Sequence, residues 1–422
     1  GAFVNTVTVS NVETITGAAS SDTVVLGAQA TGSVIDLAGS ADKLTLGAYV
    51  NTVTVSNVET IVGGSTNDTV VLGAQVTGST VDLGAGLDKL TRGDFVNTVT
   101  VSNVETITGG STNDTLVFTA QVTGSVIDLG AGLDKLTLGN FVNTLTVTDV
   151  ETVTGGASSD TLVLGAAVTG ATIDLGAGNN SLTLAAGGAT LTVSNVETIT
   201  GGATSDVVTL GSQALTGSID LAGGLDTLVL GNFVNTLTVS NVETVTGGST
   251  NDTVTLGSQV TGSSLDLGAG LDKLTLGAFV NTVTVTNIET IVGGSTDDTV
   301  TFGSAVTGAT VNLGAGNDTL VFASGGATVT VSNVETVSGS AAADQLTLGG
   351  QTTGITIDLG DAGDALILGS FINTVTVTNV ETITGGASSD TVTFTGVVTG
   401  ATVDLGIGFD RLVLGSSGAT VT

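Results

Sequence analysis

The tetrapeptide Asn-Val-Glu-Thr, or a close variant of it, returns every 46 residues, nine times, with no insertion or deletion. Its glutamates are Glu13, Glu59, Glu105, Glu151, Glu197, Glu243, Glu289, Glu335 and Glu381. Repeats begin near residues 1, 47, 93, 139, 185, 231, 277, 323 and 369, and Gly415 to Thr422 open a tenth. So strict a period predicts a stacked array, in which each unit buries its apolar face against its neighbours. Residues 1–422 therefore read as a single continuous array.

The second repeat shows what the unit is made of. Thr52-Val53-Thr54-Val55, Glu59-Thr60-Ile61-Val62, Thr69-Val70-Val71-Leu72, Ser79-Thr80-Val81-Asp82-Leu83 and Lys89-Leu90-Thr91 alternate with a period of two, and Gly, Asn, Ser or Asp bounds each run. No segment carries an apolar stripe at helical spacing. The 64 glycines and complete lack of proline suit a fold in which nearly every backbone N–H enters a ladder. The expected fold class is all-β, a parallel β-solenoid (β-helix), right-handed by the usual preference of parallel crossovers. Each repeat also echoes itself internally: Asp68-Thr69-Val70 falls over Asp88-Lys89-Leu90, and a longer stretch then runs to Asp114. This predicts two coils per repeat, a short one from Asp68 to Asp88 and a long one from Asp88 to Asp114, of ~20 and ~26 residues. Val7, Val9, Ile15, Val24, Leu26, Ile35, Leu44 and Leu46 recur as aliphatic positions and form the expected core.

The chain carries 38 acidic residues, six basic ones and no histidine, a formal net charge of −32. Nucleic acid, which needs a basic footprint, is excluded as a partner, and an anionic membrane surface repels the chain. No apolar run is long enough for a membrane span, so no membrane insertion is expected. With 40% hydrophobic residues in alternating patterns, disorder is excluded despite the charge. There is no cysteine, hence no disulfide and no thiolate metal site. A cysteine-free, acidic, Thr/Gly/Val-rich array predicts a secreted protein of a bacterial cell surface or extracellular matrix.

Four acidic columns hold 34 of the 38 acids. The Glu13 and Asp36 columns read as solvated corner acids, the latter interrupted only by Asn312. The Asp22 column runs unbroken through Asp68, Asp114, Asp160, Asp206, Asp252, Asp298, Asp344 and Asp390, and the Asp42 column is interrupted only by Asn180. Around them, Gly63-Gly64-Ser65-Thr66-Asn67-Asp68-Thr69-Val70-Val71, Leu83-Gly84-Ala85-Gly86-Leu87-Asp88-Lys89-Leu90-Thr91 and Leu313-Gly314-Ala315-Gly316-Asn317-Asp318-Thr319-Leu320-Val321 resemble the nonapeptide of calcium-binding repeats-in-toxin (RTX) proteins, Gly-Gly-x-Gly-x-Asp-x-U-x, with U a large aliphatic residue. The resemblance implies Ca²⁺ held between adjacent turns by carbonyl oxygens and an Asp carboxylate, a donor set suited to a hard cation. The candidate metal ligands are therefore Asp22, Asp68, Asp114, Asp160, Asp206, Asp252, Asp298, Asp344 and Asp390, with Asp88 and Asp318. Each motif lacks one glycine of the pattern, and the motifs ending around Asp68, Asp88 and Asp114 stand apart instead of in tandem. A lysine follows Asp42, Asp88, Asp134 and Asp272, which makes those corners poorer cation sites.

Thr-x-Thr occurs once per repeat, from Thr6/Thr8 to Thr420/Thr422, and resembles the outward ranks of ice-binding solenoids, although the shorter coil supplies no matching pair. The aromatic column Phe3, Tyr49, Phe95, Phe141, Phe233, Phe279 and Phe371 reads as corner plugs, and the Asn11 column as an amide ladder. Catalysis is not expected, because every carboxylate pair is repeated throughout and no His or Cys exists. The expected function is structural: a surface filament, surface-layer component or adhesin stalk. Its partner would be further copies of itself, joined head to tail or laterally, with Ca²⁺ stabilising the array. The alternative is a binding module in which the Thr-x-Thr face takes ice or glycan.

Overall fold

A computed structural model describes residues 3–415 and 419–421 of the chain; Ser416, Ser417, Gly418 and Thr422 of the tenth repeat lie outside the described residues. The described chain holds 46 β-strands and no helix, stacked as a parallel two-sheet β-solenoid of about 20 turns. It divides into two compact units, Gly1–Ser212 and Gln213–Thr422. Both are built in the same way, and the first serves to describe it.

The opening strands are β1 (Thr6–Val9), β2 (Thr14–Thr16), β3 (Thr23–Leu26), β4 (Thr31–Asp36), β5 (Lys43–Thr45), β6 (Thr52–Ser56), β7 (Thr60–Gly64), β8 (Thr69–Leu72), β9 (Thr77–Gly84), β10 (Lys89–Arg92) and β11 (Thr98–Ser102). Odd-numbered strands form one sheet and even-numbered strands the other, each pairing in parallel with the strand two places on. A coil therefore has two strands. A repeat contributes five strands and so makes two and a half coils, and the expected division into one short and one long coil is corrected. The successive partners Thr6, Thr23, Lys43, Thr60 and Thr80 mark the coils of one sheet, with steps in sequence that alternate between a shorter and a longer one. In β9, Gly78 at φ +80° forms a bulge, and there Thr77 opposes Thr98.

The physical reason for the half coil lies in the Asn-Val-Glu stretch. Asn11, Asn57 and Asn103 adopt φ of 53–56°, a left-handed conformation that Asn tolerates, so the chain reverses between β1 and β2 within four residues. Thr6–Val9 and Thr14–Thr16 therefore lie on opposite sheets. Equivalent residues of successive repeats consequently lie on opposite faces, and those of alternate repeats share a face: β1 and β11 belong to one sheet, β6 to the other.

Alternation within strands fills the core. Val24, Leu26, Ile35, Leu44 and Leu46 are at most 5% exposed, as the sequence predicts, whereas Val7 is 42% exposed and Val9 and Ile15 are half-buried in the first described coil; their equivalents Val53, Val55 and Ile61 one repeat on are at most 1% exposed. Stacking like side chains from coil to coil contributes ~1.5–3 kcal/mol for each buried aliphatic residue. Phe118, Phe302 and Phe394 occupy the Leu26 column and are buried as well.

Candidate functional site

The feature that recurs most regularly is the corner that precedes each strand. Here the chain turns inward, and the N–H of the corner residue has no strand neighbour to accept it, which makes it a buried donor that must be satisfied. The acid columns meet that need. On one side of the first unit, Asn5 N–H donates to Asp22 Oδ1 (2.9 Å), Asp22 N–H to Asp42 Oδ1 (2.6 Å) and Asp42 N–H to Glu59 Oε2 (2.8 Å). On the opposite side, Ala30 N–H donates to Asn51 Oδ1 (3.0 Å), Asn51 N–H to Asp68 Oδ1 (3.0 Å), Asp68 N–H to Asp88 Oδ1 (2.6 Å) and Asp88 N–H to Glu105 Oε2 (2.8 Å). Every side-chain acceptor thus takes the N–H of the preceding coil. The order Val or Ala, Asn, Asp, Asp, Glu occupies five coils and then repeats.

The candidate ligands Asp22, Asp68, Asp114, Asp160, Asp206, Asp252, Asp298, Asp344, Asp390, Asp88 and Asp318 are all buried at these inner corners. The two nonapeptide-like turns of a repeat lie in adjacent coils: Gly64 pairs with Gly84, and Leu87 N–H donates to Asn67 Oδ1 (3.0 Å). One oxygen of each carboxyl, however, is already engaged, while Oδ2 of Asp68 and of Asp88 is buried without a hydrogen-bond partner. Asp68 Oδ1 and Asp88 Oδ1 accept backbone N–H groups, and Gly64 O accepts Ala85 N–H (2.9 Å). Calcium takes six to eight oxygens, whereas no group of three acidic side chains converges in metal-holding geometry among the described residues. The acidic side chains alone therefore do not assemble a three-acid cluster at these corners among the described residues.

Burial and like charge act on the carboxyls together. Burial, reinforced by the Glu105 and Asp68 charges, pushes Asp88 up to about 6, against the pull of the Asp68 N–H. Asp134, Asp272, Asp318 and Asp364 are likewise raised to about 6, with burial the main cause, and Asp42 is raised in the same direction. Asp68, Asp252, Asp298 and Asp390 also lie above the ordinary carboxylate range through burial, opposed by the N–H groups and amides of their Asn partners.

The other columns serve the same corners. Asp36 Oδ1 accepts Ala38 N–H (3.1 Å) and the Asn57 amide (2.7 Å), so the Asn11 column braces the Asp36 column of the neighbouring coil and is not a ladder of amides. The aromatic residues do not plug the corner: Tyr49, Phe95 and Phe141 are 42–43% exposed, and the unit they begin turns the following Asn inward. Asn97 Nδ2, for example, donates to Phe95 O (2.6 Å). Where Gly-Gly-Ala replaces that unit, Ala189 N–H and Ala327 N–H reach Asp206 and Asp344 directly. One charge enters the core itself. Arg92, in a column otherwise held by residues such as Leu46 and Leu138, is buried with Nη2 3.4 Å from Asp114 Oδ2.

The outward faces differ from expectation too. Thr282, Thr299, Thr319, Thr336, Thr356, Thr376 and Thr393 stand in register on seven adjacent strands of one sheet of the second unit. A single file of threonines thus crosses neighbouring coils, with the Thr-x-Thr pair itself matched at Thr299/Thr301 but absent at Thr319 to Val321; the half-coil repeat brings alternate repeats to one face. No protein-family model matches the chain, and no curated protein matches its sequence. No helix among the described residues is long and apolar enough to cross a membrane.

Proposed function

We propose that the chain is a structural array of a bacterial cell surface or extracellular matrix, a repetitive stalk or filament segment that associates with further copies of itself. One observation carries this reading: the breaks in the repeat are absorbed by the fold instead of gathering into a site. Gly-Gly-Ala at 187–189 keeps its corner bond through Ala189, and Asn180 accepts Asp160 N–H as an Asp would. The repeated carboxyls serve as backbone acceptors, which leaves none of them placed as a general acid and base around a cleft. The formal charge of −32 favours solubility and spacing between arrays. Sedimentation and negative-stain electron microscopy over a range of salt concentrations test the proposal. Rods or filaments that lengthen as salt screens the acids support it, and a strictly monomeric particle at all concentrations overturns it.

A second reading, binding of ice or glycan, is favoured by the threonine rank from Thr282 to Thr393. Lys43 and Lys135 interrupt the equivalent face of the first unit, whereas Thr319 occupies that column here. Thermal hysteresis that Thr319→Lys abolishes would establish it; no hysteresis in the native chain removes it.

A further inference from the structure

The Asp42 column contains its own experiment. Asn180 stands where the other repeats have Asp, and its amide shows what the position requires. Its Oδ1 accepts Asp160 N–H (2.8 Å), while its Nδ2 donates to two carbonyls, Gly176 O (3.1 Å) and Asn195 O (2.9 Å). One terminal atom must therefore accept and the other must donate. In the Asp-bearing repeats the accepting half is unchanged, since Asp88 Oδ1, Asp134 Oδ1, Asp272 Oδ1, Asp318 Oδ1 and Asp364 Oδ1 each take the N–H of the preceding corner at 2.6–2.7 Å. The donating half is not provided by a carboxylate. Oδ2 of these five residues and of Asp42 is closed from solvent and has no hydrogen-bond partner. The carbonyls in Asn180's pattern are, for Asp88, those of Gly84 and Asn103. An ionised oxygen at the place of Asn180's amide nitrogen would be a buried charge without compensation, the arrangement that folded proteins avoid.

The geometry points to a column of neutral carboxylic acids: Asp42, Asp88, Asp134, Asp272, Asp318 and Asp364 hold a proton on Oδ2 and donate it to the carbonyls that Asn180's amide would reach. The ligand of these corners is a proton and not calcium. Every charged group facing the column agrees with this except one. Asp42 lies between Asp22 and Glu59, and Asp88 between Asp68 and Glu105. Asp272 faces Asp252 and Glu289, Asp318 faces Asp298, Asp297 and Glu335, and Asp364 faces Asp344, Asp361 and Glu381. Asp134 faces Asp114 and Glu151, with Arg92 as the sole opposing cation. Each corner trio is Asp, Asp, Glu in successive coils, and neutralising the middle member separates the two remaining charges. Burial raises Asp88, Asp134, Asp272, Asp318 and Asp364 to about 6 and Asp42 in the same direction, which favours the protonated form under mildly acidic conditions.

The test is infrared spectroscopy of the folded chain across pH 4 to 8, following the carbonyl band of protonated carboxyls, with circular dichroism to confirm the fold. A protonated-carboxyl band that persists to about pH 6 and loses most of its intensity in D42N/D88N/D134N/D272N/D318N/D364N is expected. A band lost by pH 4.5 in the folded native chain overturns the proposal, as does a band that the sixfold variant retains in full. If that variant does not fold, Asn180→Asp supplies the converse: one more carboxyl titrating near pH 6, and a thermal midpoint lowered at pH 8 but unchanged at pH 4.5. Repeating the native titration in excess calcium and in chelator separates the two ligands. Calcium that removes the band at pH 5 and raises the thermal midpoint, an effect lost in the Asn variants, overturns the assignment of a proton.

Discussion

Arg92 gives the sharpest test of how these corners interact with the core. It occupies a column in which Leu46, Leu138, Leu230 and Leu276 are at most 3% exposed, so the cavity accepts leucine without rearrangement. Its ion pair with Asp114 at 3.4 Å is worth ~5 kcal/mol of Coulomb attraction at an effective dielectric near 20. Against this stand the desolvation of both ions, several kcal/mol each, and Nε and Nη1, which are buried without hydrogen-bond partners at about 1–3 kcal/mol apiece. Burial already depresses the guanidinium pKa, with Asp114 and Asp134 opposing the shift. Arg92→Leu removes the penalties, adds ~2 kcal/mol of aliphatic burial, and leaves Asp114 its bond from Asn97 N–H (2.9 Å). The net expectation is a gain smaller than the ~1–4 kcal/mol found when both members of a buried ion pair are replaced by apolar residues, because Asp114 stays behind with Oδ2 unpartnered. A thermal melt of the full chain should show the first transition raised by a few degrees. Asp114→Asn alone, which strands the guanidinium, should lose about 3–5 kcal/mol, and the double variant should recover most of it. If Arg92→Leu lowers the midpoint, or Asp114→Asn is neutral, the reasoning about this ion pair is wrong.

Three further outcomes follow from the same geometry. Thr80 and Thr100 are paired on adjacent strands, so T80C/T100C should form a disulfide on mild oxidation, while T54C/T100C, one repeat apart and on opposite sheets, should not; the reverse result would restore a whole number of coils per repeat. Gly63→Ala would drive a Cβ into the Leu83 carbonyl of the next coil and should destabilise by about 3 kcal/mol or more in denaturant titrations, whereas Gly39→Ala, with open space at that position, should change stability by less than about 0.5 kcal/mol. The Asp42 column also fixes the sign of a pH effect. Its folded pKa, about 6 for Asp88, exceeds the ordinary 3.8, so the folded state binds more protons between those values and stability falls as pH rises from 4 to 6. The effect is about 1–2 kcal/mol per group once nearby solvent is allowed for, and Asp88→Asn should flatten that slope in melts compared across pH.

The fold class was legible because alternating Thr and Val over so strict a period allows few other structures, and the buried columns from Val24 to Leu46 follow from that alternation alone. The coil count was not. The internal echo of each repeat is genuine, since Thr23 pairs with Lys43, but the left-handed Asn57 that folds one run onto the opposite sheet looks from sequence like any polar turn residue. The role of the acids was partly written in their exceptions. Both interrupted columns change Asp to Asn, at Asn180 and Asn312, and never to Glu, Ser or Lys. Asn keeps an acceptor of the same shape and discards the charge, and the corner hydrogen bond to a backbone N–H survives the exchange. The resemblance to RTX turns drew attention to the right residues, because the Asp-x-U core of the motif is the corner acid followed by a buried aliphatic residue. It could not reveal that the carboxyl points inward.

The half-integral repeat also explains how so acidic an array tolerates its own columns. If a repeat made two coils, all members of the Asp22 column would stack on one side only ~10 Å apart, about a Debye length at physiological salt. With two and a half coils, Asp68 and Asp114 fall on opposite sides, and the next equivalent of Asp68 on its own side is Asp160, five coils or ~24 Å away. The intervening coils place Val122 and Asn143 at that corner, so each acidic trio ends against neutral residues before the next begins. What remains is repulsion within a trio, where three acids follow one another in successive coils. Salt screens that contact only weakly, because the two aspartates of a trio are buried. A proton on the middle aspartate removes it, at the position where Asn180 satisfies two carbonyls with its amide. The spacing of the repeat and the protonation of the corner are two parts of one solution to the same electrostatic problem, the first acting between trios and the second within them.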